Sequence, residues 1–288
     1  VSEILYPNYR SYSASRIEVN DAMTALLAGS RLAAHTLQLT EGSTSTLGQL
    51  FPAVEHIARF NLRSDAARAF LLNADHHVAS VAVPYALATH EDFVFGTLDI
   101  LADTGRVLLT HGKPIKAWNM HSILFETCGE NEPDEWMQSF HVLRELRNCI
   151  THDGGLVSER LRAAINDMGV QARTGWQELN DGQLPEAMEE HGRLRLTAQH
   201  IFSAFAVTKQ LGRVINSVIG TELNEDEWAH VIVLDFGSAT RKTRNSSNWR
   251  RSLVGYARNY YAKLEVAESA LEAASRDVGL WTRPSWSE

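Results

Sequence analysis

The stretch Arg147-Asn148-Cys149-Ile150-Thr151-His152, with Arg144 one turn upstream, holds the residues of this chain best suited to chemistry. A guanidinium stabilises negative charge developing on a phosphate, and an imidazole moves protons near neutral pH. An asparagine amide between them can orient a substrate. These side chains act together only if a helix presents them on one flank and then releases the histidine.

The flanking sequence predicts such a helix. Asn131-Glu132-Pro133-Asp134-Glu135 puts a proline and two acids where a first helical turn favours them, and Gly154-Gly155 supplies the stop. At about 100° per residue, with Arg147 at zero, Val142, Leu146, Ile150, Leu143 and Trp136 fall between roughly 220° and 340°. Thr151, Arg144, Asn148 and His152 fall between roughly 40° and 140°, away from that apolar arc. Cys149, at roughly 200°, reads as a small core residue and not as a nucleophile paired with His152. The same periodicity also describes a solvated helix face with a histidine near its end.

Arg147-Asn148-Cys149-Ile150-Thr151-His152 resembles the signature of the HEPN superfamily (higher eukaryotes and prokaryotes nucleotide-binding). In that signature an arginine, often followed by a polar residue, precedes a histidine with four to six intervening positions. Phe140 to Leu146 before it and Asp153-Gly154-Gly155 after it fit the same pattern. The resemblance spans about Asn73 to Ile219. It implies a helical bundle that dimerises and a metal-independent ribonuclease of the toxin–antitoxin, phage-defence or RNA-processing kind. Catalytic roles then fall to Arg147 and His152 with Asn148 orienting, a phosphate contact to Arg144, and an antitoxin or regulatory protein is the expected partner. One branch carries a modifiable tyrosine two residues after the histidine; Gly154 stands there, so that regulation is not expected.

The geometry of one helix does not bring the pair together. Arg147 and His152 lie about 140° apart with a rise of about 7.5 Å, so a groove shared across a two-fold axis is what would unite them. A non-catalytic module of the same fold that binds RNA or protein fits the residues as well.

Downstream, the run from Arg241 to Lys263 holds Arg241, Lys242, Arg244, Arg250, Arg251 and Arg258 with no acidic residue, interleaved with Trp249, Tyr256, Tyr260 and Tyr261. Such a run suits phosphate contacts and base stacking on single-stranded RNA, although several of these aromatics also fit the core; a solvated helix face with a flexible basic linker, or a helical DNA-binding regulator, is the alternative. Asp75-His76-His77 and His90-Glu91-Asp92 contain metal-ligand types without a zinc spacing, and no glycine-rich phosphate loop occurs. No metal or cofactor is therefore expected.

Across the whole chain, 288 residues with 44% hydrophobic and 22% charged side chains exclude a disordered or collagenous protein, and 27 basic against 35 acidic residues leave a net charge of −8. Two cysteines exclude a disulfide framework. No signal-like start and no apolar span of membrane length are visible, which gives a cytoplasmic expectation with no membrane partner.

Apolar spacing of three and four predicts an all-α chain. The expected order is residues 1–72 as an N-terminal helical segment, 73–220 as the helical bundle, and 221–288 as a mainly helical extension with a basic linker. Helices are predicted over about Arg16 to Leu39, from Leu50 through Val54, Ile57, Ala58 and Phe60, and after an N-cap at Ser64-Asp65. Val78 to Ala102 should be kinked or restarted near Pro84; Ser158 to Met168, Arg193 to Ile219 and Trp249 to Ser275 complete the set. Trp228 to Leu234 fits helix or buried strand, Ser238 to Asn248 reads as a linker, and the tail from Gly279 reads as irregular.

Overall fold

The computed structural model describes residues 3–59, 61–283 and 286. Among these the chain is all-α: twelve α-helices, three short 3-10 turns and one hairpin of two two-residue strands. The helices are α1 (Pro7–Gln38), α2 (Leu47–Leu50), α3 (Ser64–Leu72), α4 (Ala74–Asp103), α5 (Met120–Thr127) and α6 (Asp134–Thr151). They continue as α7 (Glu159–Asn166), α8 (Val170–Leu179), α9 (Ala198–Glu222), α10 (Glu225–Ala239), α11 (Ser247–Tyr260) and α12 (Glu268–Asp277). None is long and apolar enough to cross a membrane. Two compact units form, one from Val1–Ser15, Thr89–Pro133 and Lys209–Glu288, the other from Arg16–Ala88 and Asp134–Thr208.

Several boundaries differ from expectation for local physical reasons. Helix α1 starts at Pro7, not near Arg16: proline suits a first helical turn, and Tyr9 and Tyr12 in the polar-looking first turns are buried. The predicted helix from Leu50 through Ile57 is absent. Only α2 and a 3-10 turn over Ile57–Arg59 form there, with His56 at a positive φ of 63° between them, and Phe60 lies outside the described residues. Ser64 is the first residue of α3, with Arg63 at the cap position.

Helix α4 runs unbroken through Pro84. An interior proline costs about 3 kcal/mol, and burial of Ala79, Ala82, Val83, Ala86 and Leu87 around it offsets that cost. Arg193–Leu194 is a strand and α9 begins at Ala198. The segment Trp228 to Leu234 is helical within α10, behind a capping box of Asn224 and Glu227. The predicted helix Trp249 to Ser275 is two helices, α11 and α12, separated by a 3-10 turn and by Glu265 at a φ of 49°.

In the first unit Tyr12 stacks on Phe93 at 4.4 Å and Tyr9 meets Phe93 edge-on at 5.7 Å. Gly212 keeps α9 close to this cluster, since a Cβ there would lie 2.6 Å from Tyr12 Cε1. Buried Asp235 accepts from both terminal nitrogens of Arg10, at 2.9 and 2.7 Å, and from Tyr261 Oη at 2.6 Å. His90 is fully buried, with Nδ1 3.2 Å from Tyr12 Oη and Nε2 2.9 Å from His121 Nε2; burial pushes its pKa down to about 3. Among the described residues after Gly279 the backbone is irregular, and Trp281 packs on Trp249 at 5.9 Å.

In the second unit α6 packs against α7 and α8. Phe140, Val142, Leu143, Leu146 and Cys149 form the buried stripe of α6, each larger apolar side chain worth about 1.5–3 kcal/mol. Trp176 of α8 is buried, and its ring centroid lies 6.4 Å from that of His200.

Candidate active site at the end of α6

Helix α6 forms where its residues predict. Asp134 and Glu135 occupy the first turn, and the helix stays unbroken to Thr151. Gly154 and Gly155 then take positive φ values of 59° and 82°, and the Gly155 N–H closes the helix end on the Cys149 carbonyl at 2.9 Å. That reversal lets Ser158 cap α7, its hydroxyl accepting from the Leu161 N–H at 3.2 Å. Cys149 is buried, and its sulfur accepts from the Ser158 N–H at 3.4 Å, so it is a structural thiol at the α6–α7 turn.

His152 is exposed immediately beyond the helix. It lines a depression of about 440 Å³ together with Asn148 and Glu145 of α6 and Asp153, Ser158, Glu159 and Arg160. A second depression beside it, about 300 Å³, is lined by Arg144 and again by Glu145 and Arg160. The structure thus brings Asn148 and His152 to one place and Arg144 next to it. Arg147 lines neither depression; the unbroken helix keeps it on the other side of α6's polar arc.

Glu145 organises this face. Its carboxylate accepts from Arg144 at 3.3 Å and from the Asn148 amide at 3.1 Å, which fixes the amide's orientation one turn before His152. Glu159 pairs with Arg162. With those carboxylates occupied, Arg160 stands between the depressions as a cation with no ion pair among the described residues. The local balance near His152 is still acidic, through Asp153. A polyanion settles here only when further cations face it.

Glu145, Ser158 and Arg160 are wall residues that sequence reasoning missed. The signal for the last two was the double glycine followed by a serine cap, which folds α7 back along α6.

The basic C-terminal residues belong to the first unit. Arg241, Lys242, Arg244 and Arg251 are exposed. Arg250 is committed to structure: it donates to the Trp286 carbonyl at 2.5 Å and stands 5.7 Å from that ring. Arg258 pairs with Glu268 at 3.2 Å. Trp249 and Tyr261 are core side chains and do not stack on a ligand, and the Arg10 guanidinium covers Tyr260 at 4.8 Å. Among the described residues no cluster of three or more His, Cys, Asp and Glu is placed to hold a metal ion. No protein-family model matches the chain, and no curated protein and no solved structure matches it.

Proposed function

We propose that this protein is a metal-independent endoribonuclease that acts as a homodimer, with Arg147, Asn148 and His152 of two protomers lining one groove. The observation that carries this reading is the placement of His152: exposed just past the end of α6, beside an Asn148 amide held in place by Glu145. In that groove the imidazole takes the proton of a ribose 2′-hydroxyl as its oxygen attacks the adjacent phosphorus. A protonated imidazole, from the second protomer, gives a proton to the departing 5′-oxygen. Arg147 stabilises the added charge on the phosphate, and Arg144 and Arg160 hold neighbouring phosphates. The products are a 2′,3′-cyclic phosphate and a 5′-hydroxyl end. The resemblance at Arg147 to His152 extends the reading to a toxin or phage-defence effector restrained by a partner protein.

The test is cleavage of single-stranded and structured RNA by purified protein in excess chelator. His152→Ala should abolish cleavage with an unchanged melting temperature, since an exposed side chain contributes within about 0.5 kcal/mol to stability. Equal cleavage by the variant removes the site.

A second reading has its own observation. On α1 the side chains of Ile17, Leu26 and Leu32 are 53%, 57% and 69% exposed, separate apolar side chains that a non-catalytic module engaging a protein partner would cover. That reading expects partner binding and no RNA cleavage. A helical DNA-binding regulator, by contrast, expects tight duplex DNA binding through the exposed C-terminal cations.

A further inference from the structure

The hairpin between α8 and α9 serves more than connection. Strands β1 (Glu189–Glu190) and β2 (Arg193–Leu194) turn through His191 and Gly192, both at positive φ, 52° and 77°. The turn carries an imidazole at a left-handed position where glycine or asparagine is the least strained choice. β2 also pairs on its other side. The Leu194 N–H donates to the Gly155 carbonyl and the Val157 N–H to the Gly192 carbonyl, each at 2.9 Å, so the hairpin is tied to the loop that follows His152.

Between this hairpin and the start of α4 lies a cleft of about 740 Å³, whose wall on the α4 side includes His76 and His77. The Leu196 N–H donates to His76 Nδ1 at 3.2 Å, so the neutral ring carries its proton on Nε2 and is a donor there. The two carboxylates of the cleft are already paired, Asp75 with Arg31 at 3.1 Å and Glu190 with Arg195 at 2.9 Å. Arg193 reaches only the Gly154 carbonyl, at a long 3.4 Å, while His77 and His191 make no hydrogen bond among the described residues. What remains uncommitted is therefore one guanidinium, the His77 and His191 imidazoles and the Nε2–H of His76, a set of donors around a single space.

We propose that this cleft binds a phosphate monoester group carried by an organic ligand. Three terminal oxygens with a double negative charge match a guanidinium fork and several imidazole N–H groups, and charge-assisted bonds of this kind are the strong ones. A carboxylate would leave part of that donor set unused. The volume lies in the range of pockets for small organic ligands, so the cleft takes the phosphate with the group it is attached to. Binding here is independent of Arg147 and His152, and it is read without any cleavage assay.

The test uses the full chain and calorimetric titration with ribose 5-phosphate, inorganic phosphate, and one single-stranded RNA oligomer prepared with a 5′-phosphate and with a 5′-hydroxyl. The phosphorylated probe should bind at least about tenfold more tightly than its unphosphorylated counterpart, ribose or 5′-hydroxyl RNA, and Arg193→Gln should cost about tenfold or more. His191→Asn, which keeps a side chain at home at positive φ, and His77→Gln should each weaken binding with the melting temperature held. Binding of ribose 5-phosphate identifies a small phosphorylated metabolite as the source; binding of 5′-phosphorylated RNA alone identifies an RNA end. Both outcomes support the site. Inorganic phosphate bound as tightly as every phosphorylated probe, no phosphate-dependent binding, or binding untouched by all three variants overturns it.

Discussion

The backbone N–H of His152 donates to the carbonyl of Asn148 at 2.9 Å, so the histidine takes the last α-type hydrogen bond of α6 while its side chain stands in solvent beside the Asn148 amide. Arg147 precedes Asn148 by one residue and is directed about 100° away around the helix. Arg147 and His152, which the proposed reaction needs together, thus leave one helix on different flanks.

Mixing experiments follow from that relationship. Neither Arg147→Ala nor His152→Ala homodimers should cleave RNA, but co-refolding the two should restore a reduced activity that scales with the heterodimer formed, because each heterodimer retains one arginine and one histidine and lacks only the second protomer's proton donor. Single-turnover cleavage measured across mixing ratios reads this directly. Activity that persists unchanged on dilution to monomer excludes the shared groove.

Glycine substitutions should change stability with opposite signs at two sites. At Gly155, φ is 82° and a Cβ added there would meet no atom within 4 Å, so Gly155→Ala costs only backbone strain, about 1 kcal/mol or more. Gly29, inside α1, has equally open surroundings and no positive φ; Gly29→Ala should stabilise by up to about 1 kcal/mol. Urea unfolding midpoints distinguish the two. Gly155→Ala should also slow RNA cleavage, since it disturbs the turn that releases His152.

Acid should weaken the fold through two buried imidazoles. Burial lowers His90 to about 3 and His200 to about 4, both below the ordinary histidine value near 6.5. Below that ordinary value the unfolded chain takes up protons that the folded chain refuses, so stability is full above about pH 6.5 and falls as pH drops toward the folded values. At pH 5.5 the loss is about 1.4 kcal/mol per histidine. Denaturant titrations at pH 7.5 and 5.5 check the sum, and His90→Gln should flatten the dependence by one histidine's share.

The all-α class and the two faces of α6 were legible because an amphipathic period and end signals agree over eighteen residues. Where local chemistry and packing disagree, the sequence misleads. Pro84 signals a break that the buried residues around it override, and Gly212 signals weakness where the Tyr12 ring requires its bare backbone. The tyrosines of α1's first turns look like a polar turn until Phe93, about eighty residues away, supplies their partner. Arg160 and His191 were invisible as site residues for the same reason: each enters its wall through a chain reversal, and periodicity carries no information about which distant surface such a reversal faces.

The exposed C-terminal cations should tune RNA affinity and leave the chemical step alone. Arg241, Lys242 and Arg244 project from the segment between α10 and α11, which offers charge but no general base, whereas Arg250 and Arg258 are held by Trp286 and Glu268. Charge reversal at Arg241, Lys242 and Arg244 together should therefore weaken RNA binding and flatten its dependence on ionic strength, because fewer phosphate contacts release fewer counterions. Cleavage at saturating RNA should keep its rate. The same reversal at Arg250 should instead lower the melting temperature, since it removes the donor to the Trp286 carbonyl. If the triple variant binds RNA with the wild-type salt slope, these cations are a solvated linker and the substrate is held by α6 and α7 alone.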